Sequence, residues 1–239
     1  MAGVFVTLDP VGGLRQTSGS SRPDPVAVAA YAQVAGAAGI AASLGNEEGT
    51  ITERDLRLLR DTVHTRLLIT MPAAAELLGL AMDLRPDVVI FNAMNPSMAA
   101  PLGGIDLMVH HQDLEDSIKA LTNNGIRVLV LIAPQPEQIK LALQAGADGV
   151  VLDAREFSLG TSPEQIDQSF GHLVDGIKLA HRLKLDPWLG GGLNTNNLPA
   201  FIGLGEIQGL IIGHSIITQA LFVGLHQAVG EMVAMAGRI

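Results

Sequence analysis

Eight short apolar runs alternate with segments of helical pattern along the chain, and this alternation limits the possible folds more than any other feature. Each run is rich in valine, isoleucine or leucine and is bounded by glycine, proline or polar residues, as buried parallel strands are. The predicted strands, in chain order, are Val4–Leu8, Ile40–Leu44, Arg66–Thr70, Asp87–Phe91, Arg127–Ile132, Gly149–Asp153, Trp188–Leu189 and Gly209–Ile212. Eight strand–helix units predict a closed α/β barrel, and a length of 239 residues suits one such barrel.

We therefore expect a single (β/α)8 TIM barrel over residues 1–239, with long loops after strands 1, 4 and 6. Those loops are Asp9–Arg22, Asn92–Gly104 and the stretch that ends before Pro163. An open, doubly wound sheet is the alternative fold. It would more usually carry a glycine-rich loop close after its first strand, and Gly12-Gly13 is only a lone pair at that place.

The composition excludes several classes of function. Hydrophobic residues make up 48% of the chain and charged residues 16%, so a large core is expected and disorder is not. The 15 Lys and Arg against 24 Asp and Glu give a net charge of −9, which argues against nucleic acid and anionic membranes as partners. The absence of cysteine excludes a disulfide framework, a thiolate nucleophile and a cysteine zinc site.

No apolar run reaches the roughly 20 residues that a membrane span requires, and the N-terminus lacks the pattern of a signal peptide. We therefore expect a soluble, cytoplasmic protein with no membrane partner. No residue pattern indicates a metal site or a cofactor.

Two glycine-ended strands near the carboxyl terminus predict an anion site. The seventh strand runs into Gly190-Gly191-Gly192 and the eighth into Gly213-His214, each ahead of a helical segment. In a parallel barrel these ends share one face, where bare N–H groups beside helix N-termini favour anions. The loops after strands 7 and 8 are also the usual phosphate site of such barrels. The sequence therefore predicts a phosphate cradle between these two strand ends.

Seven stretches spread over the chain carry a recognisable family pattern. They are Pro23–Val26, Ala37–Ile40, Ile51–Thr62, Gly103–Asp106, Glu137–Lys140, Ala145–Ala147 and Ile212–Ile217. The run from Ile51 to Thr62 is the most specific of them. Together, nearly end to end and almost without gaps, they resemble the pyridoxine 5'-phosphate synthase (PdxJ) family.

The resemblance implies a (β/α)8 barrel that assembles into dimers and octamers. Members of the family condense 1-deoxy-D-xylulose 5-phosphate with 3-amino-2-oxopropyl phosphate and release pyridoxine 5'-phosphate, inorganic phosphate and water. Histidine and glutamate side chains act as acids and bases in that reaction, and basic residues hold the two phosphate groups.

This chain departs from the family at most positions that carry an acid, a base or an arginine. The family's Asn-x-Asp-His reads Thr7-Leu8-Asp9-Pro10 here, and its His-Leu-Arg reads Ser43-Leu44-Gly45. Its glutamates on strands 3 and 6 fall on Thr70 and Val151, a loop arginine falls on Ser18, and a histidine falls on Thr50. Its Gly-His-Gly reads Gly190-Gly191-Gly192. The resemblance leaves Gly192 and Gly213-His214 as the backbone part of a phosphate site. We therefore expect little or no pyridoxine 5'-phosphate synthesis.

Asp9 and Asp153 lie at predicted strand ends and are candidates for new acid–base catalysis or for cation binding. Alternatively, each carboxylate caps the following helix or pairs with a nearby arginine, Arg15 or Arg155. The imidazole of His214 is a further candidate base, although the resemblance gives the phosphate contact to its backbone N–H. The residues expected to line a substrate pocket are Thr7, Ser43 and Thr70.

Two classes of function remain open on the sequence. In the first, the chain is a pseudoenzyme, a binding or regulatory subunit that keeps the barrel and the phosphate cradle. In the second, it is an enzyme with a changed reaction on a small phosphorylated or carbonyl compound, using Asp9, Asp153 or His214. Both classes imply a small phosphorylated ligand and a homo-oligomer, from dimer to octamer, and the first allows co-assembly with an active family member.

Overall fold

The computed structural model describes residues 1–44, 51–93 and 104–239, with only the backbone described at residues 110–113. Eight parallel strands close into a barrel in chain order, and β8 pairs with β1 through Gly209 and Gly3. The strands are β1 Gly3–Thr7, β2 Gly39–Ser43, β3 Leu67–Pro72, β4 Val88–Asn92, β5 Arg127–Ile132, β6 Gly149–Asp153, β7 Asp186–Gly190 and β8 Gly209–Ile212. The predicted (β/α)8 barrel is confirmed, and the open sheet is excluded by the closure.

Helices follow every strand except β7, which leads only into a 3₁₀ turn at Leu198–Phe201. The α-helices of the described ranges are α1 Asp9–Ser18, α2 Pro25–Val34, α3 Glu53–Thr62, α4 Ala75–Leu84, α5 Leu107–Asn123, α6 Pro136–Gln144, α7 Arg155–Ser158, α8 Pro163–Arg182, α9 His214–Val223 and α10 Leu225–Ala236. In this part of the chain, no helix combines the length and the apolar character that a bilayer crossing requires.

Two of the three predicted long loops need correction. Residues 9–18 form the helix α1, which has Asp9 in its first turn, a proline at its start, and an end at Gly19 in the left-handed conformation (φ 59°). The segment after β6 contains the short helix α7. Most of the loop predicted after β4 lies outside the described residues, as do Gly45 and Thr50.

Two apolar layers hold the barrel. The inner layer consists of side chains that point into the barrel from all eight strands: Phe5, Ala41, Leu68, Val88, Ile90, Leu129, Leu131, Val151, Trp188 and Ile211. The outer layer fills the space between the sheet and the helices. The alternation of side chains along each strand assigns successive residues to the two layers.

Two aromatic rings fill the amino-terminal end of the barrel. The rings of Phe5 and Trp188 lie 4.5 Å apart between centroids, and the guanidinium of Arg66 stacks 4.6 Å from the Phe5 centroid. Glycines stand where strands meet these rings. A β-carbon at Gly39 would lie 2.6 Å from the Phe5 ring, and one at Gly209 would overlap the ring of Trp188. The packing therefore requires glycine at these two strand starts.

Replacement of Gly209 by alanine is expected to destabilise the barrel by about 2 kcal/mol or more, because the added methyl group overpacks the inner core. The matched control is Gly230→Ala in α10, where a β-carbon meets no atom within 4 Å. This control should gain about 0.5–1 kcal/mol from better helix propensity. Urea unfolding of both variants measures the difference, and equal stabilities would contradict the packing argument.

A buried ion pair attaches α1 to the amino terminus of α3. Arg15 Nη1 and Nη2 donate to the two carboxylate oxygens of Asp55 at 3.1 and 2.6 Å. Asp55 also accepts from Thr52 N at 2.9 Å and Thr52 Oγ1 at 2.8 Å, within a capping box. The side chains of Arg15 and Asp55 are only 16% and 4% exposed. This contact stabilises a helix whose own sequence, with Gly12 and Gly13, favours it little.

The stability that this pair contributes depends on pH in a defined direction. Burial raises the pKa of Asp55, but hydrogen bonds from Arg15 and Thr52 outweigh it and hold that pKa below its ordinary value of 3.8. A carboxyl group with a lowered folded pKa stabilises the protein above the unfolded pKa. That contribution is lost as the pH falls through the folded pKa.

Arg15→Met is expected to cost about 3 kcal/mol at pH 7, because it leaves a buried carboxylate without its cation. The deficit relative to the unmodified protein should shrink as the pH falls below about 4, since Asp55 is then protonated in the variant and the unfolded chain. The control is Arg57→Met, which breaks the exposed Arg57–Glu53 pair and should cost no more than about 0.5 kcal/mol. Denaturant unfolding at pH 7 and pH 3 tests this, and a deficit independent of pH would refute it.

Candidate functional site

The side chains that face the carboxyl-terminal mouth of the barrel follow from the alternation along each strand. On one half of the mouth they are neutral and polar: Thr7, Ser43, Thr70 and Asn92. On the other half they are small or absent, apart from one carboxylate: Ala133, Asp153, Gly190 and Gly213. The mouth is therefore polar on one side and glycine-rich on the other.

The three predicted pocket residues lie on neighbouring strands. Ser43 and Thr70 are register partners across β2 and β3. Thr7 and Ser43 both donate to the carboxylate of Asp9. The side chains of Ser43 and Thr70 are buried. In the described part of the chain, the buried Oδ1 of Asn92 accepts no hydrogen bond.

Asp9 connects the ends of β1 and β2. Its Oδ2 accepts from Thr7 Oγ1 at 2.7 Å and from Ser43 Oγ at 2.9 Å, while its Oδ1 accepts from Ser43 N at 2.9 Å. Although part of the residue reaches solvent, the carboxylate lies among protein atoms. This burial raises the pKa of Asp9, and the three hydrogen bonds offset the rise only in part.

The carboxylate of Asp153 is bound by the side chain of Arg155. Its Oδ1 accepts from the backbone N and the Nε of Arg155, each at 3.0 Å, and its Oδ2 accepts from Nε at 2.9 Å and from Nη2 at 2.5 Å. This arrangement combines a hydrogen bond to the first backbone N–H of α7 with an ion pair, and the ion pair to Arg155 is one of the alternative roles that the sequence left open. No hydrogen bond or ion pair among the described residues joins Asp153 to Asp9, and β7 and β8 separate their strands.

The glycine ends of β7 and β8 lie side by side because the two strands pair, with Gly190 opposite Ile211. Ser215 Oγ also donates to the carbonyl of Leu193 at 2.7 Å. Gly191 and Gly192 both have left-handed backbone, with φ of 98° and 71°. Their carbonyls are held from one side: Gly191 O accepts from Ser158 Oγ at 2.9 Å, and Gly192 O accepts from Asn197 Nδ2 at 3.1 Å.

Several backbone N–H groups at these glycine ends have no hydrogen-bond partner within the described ranges. The amides of Gly191 and Gly192 donate to no described residue, and the same holds for the first turn of α9, from His214 to Ile216. The His214 side chain is exposed. Such unpaired donors at a helix start are suited to an anion.

The volume beside Gly191 is already filled. A β-carbon at Gly191 would lie 2.7 Å from Asp153 Oδ1 and 2.9 Å from Arg155 Cγ. The ion pair of Asp153 and Arg155 therefore lies where a side chain at position 191 would begin. At Gly213, a β-carbon would overlap the Thr7 side chain, so this glycine allows β8 to approach β1.

Gly191→Ala is expected to destabilise the protein more than Gly203→Ala does. Both glycines have similar left-handed backbone, with φ of 98° and 90°, so both variants carry about 1–2 kcal/mol of backbone strain. Only position 191 adds a clash, since a β-carbon at Gly203 meets no atom within 4 Å. The difference, measured by urea unfolding, is expected to be at least about 1 kcal/mol. Equal losses of stability in the two variants would contradict this expectation, since they would show that the Asp153–Arg155 pair moves aside without a cost in free energy.

Sequence reasoning missed several residues that shape this site. Ser158, Asn197 and Ser215 hold the glycine loops through hydrogen bonds, and none belongs to a local pattern that indicates such a role. The sequence indicates Arg155 only as a partner for Asp153. In the described residues, no group of three or more His, Asp or Glu side chains is placed to hold a metal ion.

The fold and the glycine-lined mouth together define a (β/α)8 barrel with an anion-compatible end. Comparison with known proteins gives the family. Residues 4–238 match the model of the family described as pyridoxal phosphate biosynthesis protein PdxJ. The chain is 35% identical over 239 residues to a pyridoxine 5'-phosphate synthase of Desulfatibacillum aliphaticivorans, with 100% of both chains covered. The chain belongs to the PdxJ family.

A second relative agrees with this assignment, and a solved structure shares the fold. A pyridoxine 5'-phosphate synthase of Geobacter sulfurreducens is 38% identical over 233 residues, which cover 98% of each chain. The crystal structure of 3-keto-L-gulonate-6-phosphate decarboxylase from Vibrio cholerae superposes with a TM-score of 0.65 at 14% identity, covering 99% of this chain and 98% of that one. At such identity the structural likeness shows the barrel fold alone.

Proposed function

We propose that this PdxJ-family barrel binds a small phosphorylated compound at its glycine-rich mouth and does not perform the condensation of the family. One observation carries the proposal. Of the eight side-chain positions at the strand ends, only Asp153 bears an ionisable group, and it is bound by Arg155. The unpaired amides of Gly192 and of the first turn of α9 supply the anion site.

The inferred loss of activity follows from the number of missing acids and bases. Each positioned acid or base contributes roughly 10²- to 10⁴-fold to a rate. By the resemblance, Ser43, Thr70 and Gly191 replace a histidine, a glutamate and a histidine of the family. A hydroxyl group is a poor base near neutral pH, and glycine has no group to titrate.

A binding or regulatory subunit in a homo-oligomer, from dimer to octamer, fits this proposal. Two large apolar side chains on α9, Leu221 and Phe222, are 77% and 80% exposed. Exposed apolar groups of this size are typical of protein contacts. Copies of the same chain, or an active family member, are the partners that we propose for them.

A second candidate is an enzyme with a changed reaction on a phosphorylated or carbonyl compound. Its support is Asp9, whose carboxylate accepts from the Ser43 hydroxyl at 2.9 Å and whose pKa is raised by burial. A carboxyl group with a raised pKa is suited to proton transfer near neutral pH. Asp153 and His214 would be the other groups, but among the described residues no hydrogen bond or ion pair joins either of them to Asp9.

The purified protein is expected to turn over 1-deoxy-D-xylulose 5-phosphate and 3-amino-2-oxopropyl phosphate at least about 10⁴-fold more slowly than the Geobacter sulfurreducens relative, because two or more acid–base groups are absent. Product formation is measured by chromatography with both enzymes assayed side by side. Isothermal titration calorimetry with inorganic phosphate tests binding separately. Turnover close to that of the relative would refute the proposal, and slow turnover with no phosphate binding would refute its binding half.

A further inference from the structure

We propose that Thr70 and Asn92 form a hydrogen-bonding subsite that selects an uncharged group on the bound compound. This rests on the proposed function, since the subsite receives the part of the compound that lies away from its phosphate. The class of ligand is a phosphate ester whose remaining atoms are neutral and donate hydrogen bonds, in place of an amine or a carboxylate.

Thr70 and Asn92 face the mouth from neighbouring strands. Leu68 and Ile90 point into the barrel, and side chains alternate along a strand, so the residues two positions further on share their direction. In the pairing of β3 with β4, Thr70 lies opposite Ile90 and Pro72 lies opposite Asn92. Asn92 therefore lies on the adjacent strand, one inward-facing position further toward the mouth than Thr70.

The side-chain amide of Asn92 lacks the partners that a buried amide normally has. Its Oδ1 is buried and accepts no hydrogen bond, and its Nδ2 donates to no described residue. Within the described ranges, one other buried side-chain atom is in this state, Nε1 of Trp188, but that residue is only 1% exposed in the inner layer. Asn92 is partly exposed, so its amide, unlike the indole, borders the mouth.

The hydroxyl group of Thr70 has no partner either. The residue is 5% exposed, and its Oγ1 makes no hydrogen bond within the described part of the chain. Its register partner Ser43 is equally buried, but Ser43 donates to Asp9 at 2.9 Å. A buried polar group without a partner destabilises a fold. Two such groups on adjacent strands therefore indicate a site built for a partner from outside the chain.

The charges around the subsite favour an uncharged partner. Thr70 and Asn92 are neutral, the carboxylate of Asp9 already accepts three hydrogen bonds, and Asp153 is paired with an arginine. An ammonium or carboxylate group placed here would lose water without gaining a counter-ion. A hydroxyl or amide group loses less on leaving water and has a proton to donate to Asn92 Oδ1.

The test compares esters that share a phosphate and differ in the remainder: methyl phosphate, glycerol 1-phosphate, phosphoethanolamine and 3-phosphoglycerate. Calorimetric titration of the full chain at fixed ionic strength gives the affinities. Glycerol 1-phosphate is expected to bind about 3- to 10-fold more tightly than methyl phosphate, which corresponds to one neutral hydrogen bond. The two esters with a charged remainder should bind no more tightly than methyl phosphate.

Variants at the two positions test whether the preference comes from these side chains. Thr70→Val and Asn92→Leu approximate the shape of each residue and remove its hydrogen-bonding atoms. Each is expected to abolish the preference for glycerol 1-phosphate and to leave the affinity for methyl phosphate unchanged. The matched control is Asn123→Leu, which removes an exposed amide at the end of α5 and should keep the preference.

A charge introduced at the subsite should change the choice of ligand. Asn92→Asp is close to isosteric, and it is expected to bind phosphoethanolamine at least about 3-fold more tightly than the unmodified protein does, because the ammonium group gains a carboxylate. Should Asn92→Leu fail to fold, Thr70→Val and Asn92→Asp answer the same question. Unchanged affinity of Asn92→Asp for phosphoethanolamine would contradict contact between Asn92 and the ligand.

Stability without ligand separates a binding role from a structural one. Because these polar groups have no partner in the chain, Thr70→Val and Asn92→Leu are each expected to raise the urea midpoint of the free protein. A residue that supports the fold through a hydrogen bond would give the opposite shift. A lower midpoint together with an unchanged ligand preference would overturn the inference.

The outcomes distinguish the two proposals. If the unmodified protein binds none of the esters, the proposed function fails and the subsite fails with it. If methyl phosphate and glycerol 1-phosphate bind equally well, the subsite is wrong and the binding of a phosphorylated compound stands. If the preference persists in Thr70→Val and Asn92→Leu, its assignment to these residues is wrong. Loss of the preference in both variants, with the Asn123 control unchanged, supports both proposals.

Discussion

Closure of the barrel depends on two aromatic side chains that pack against glycine residues. Phe5 on β1 and Trp188 on β7 contact each other across β8, the last strand, which lies between β7 and β1 in the closed barrel. Gly209 on β8 leaves room for the indole. This contact spans the seam of the barrel, where β8 pairs with β7 and β1, and it supports the alignment of these three strands. Thr7 and Gly213, two residues beyond inward-facing Phe5 and Ile211, inherit their positions from that alignment.

The strands were predictable because burial on both faces leaves an apolar run for each one. The observed bounds of β5, β6 and β8 coincide with the predicted ones, and those of the other strands differ by one or two residues at each end. The helix α1 was not predictable. Its two adjacent glycines, Gly12 and Gly13, favour a loop, and the contact that holds it, from Arg15 to Asp55, spans 40 residues of sequence. A local sequence pattern does not indicate such a pair, since each partner alone has the appearance of an ordinary surface charge.

The site was predictable to a similar degree. The order of strands and the glycines at the ends of β7 and β8 predicted where the backbone amides of the mouth lie. What the side chains do there was open, because Asp9 and Asp153 are alike in sequence and differ only in their neighbours. Asp9 accepts from hydroxyl groups of two strands and has a raised pKa, whereas Asp153 is bound by an arginine two residues away. Which partner a carboxylate takes depends on the distances between loops, and these follow from the folded barrel.

The packing of Asp153 and Arg155 against Gly191 makes the three positions interdependent in evolution. A side chain at position 191 has no room while the ion pair is in place. Loss of either member of the pair would in turn leave a partly buried charge without its partner. Substitutions at position 191 are therefore expected to be tolerated only together with changes in the ion pair.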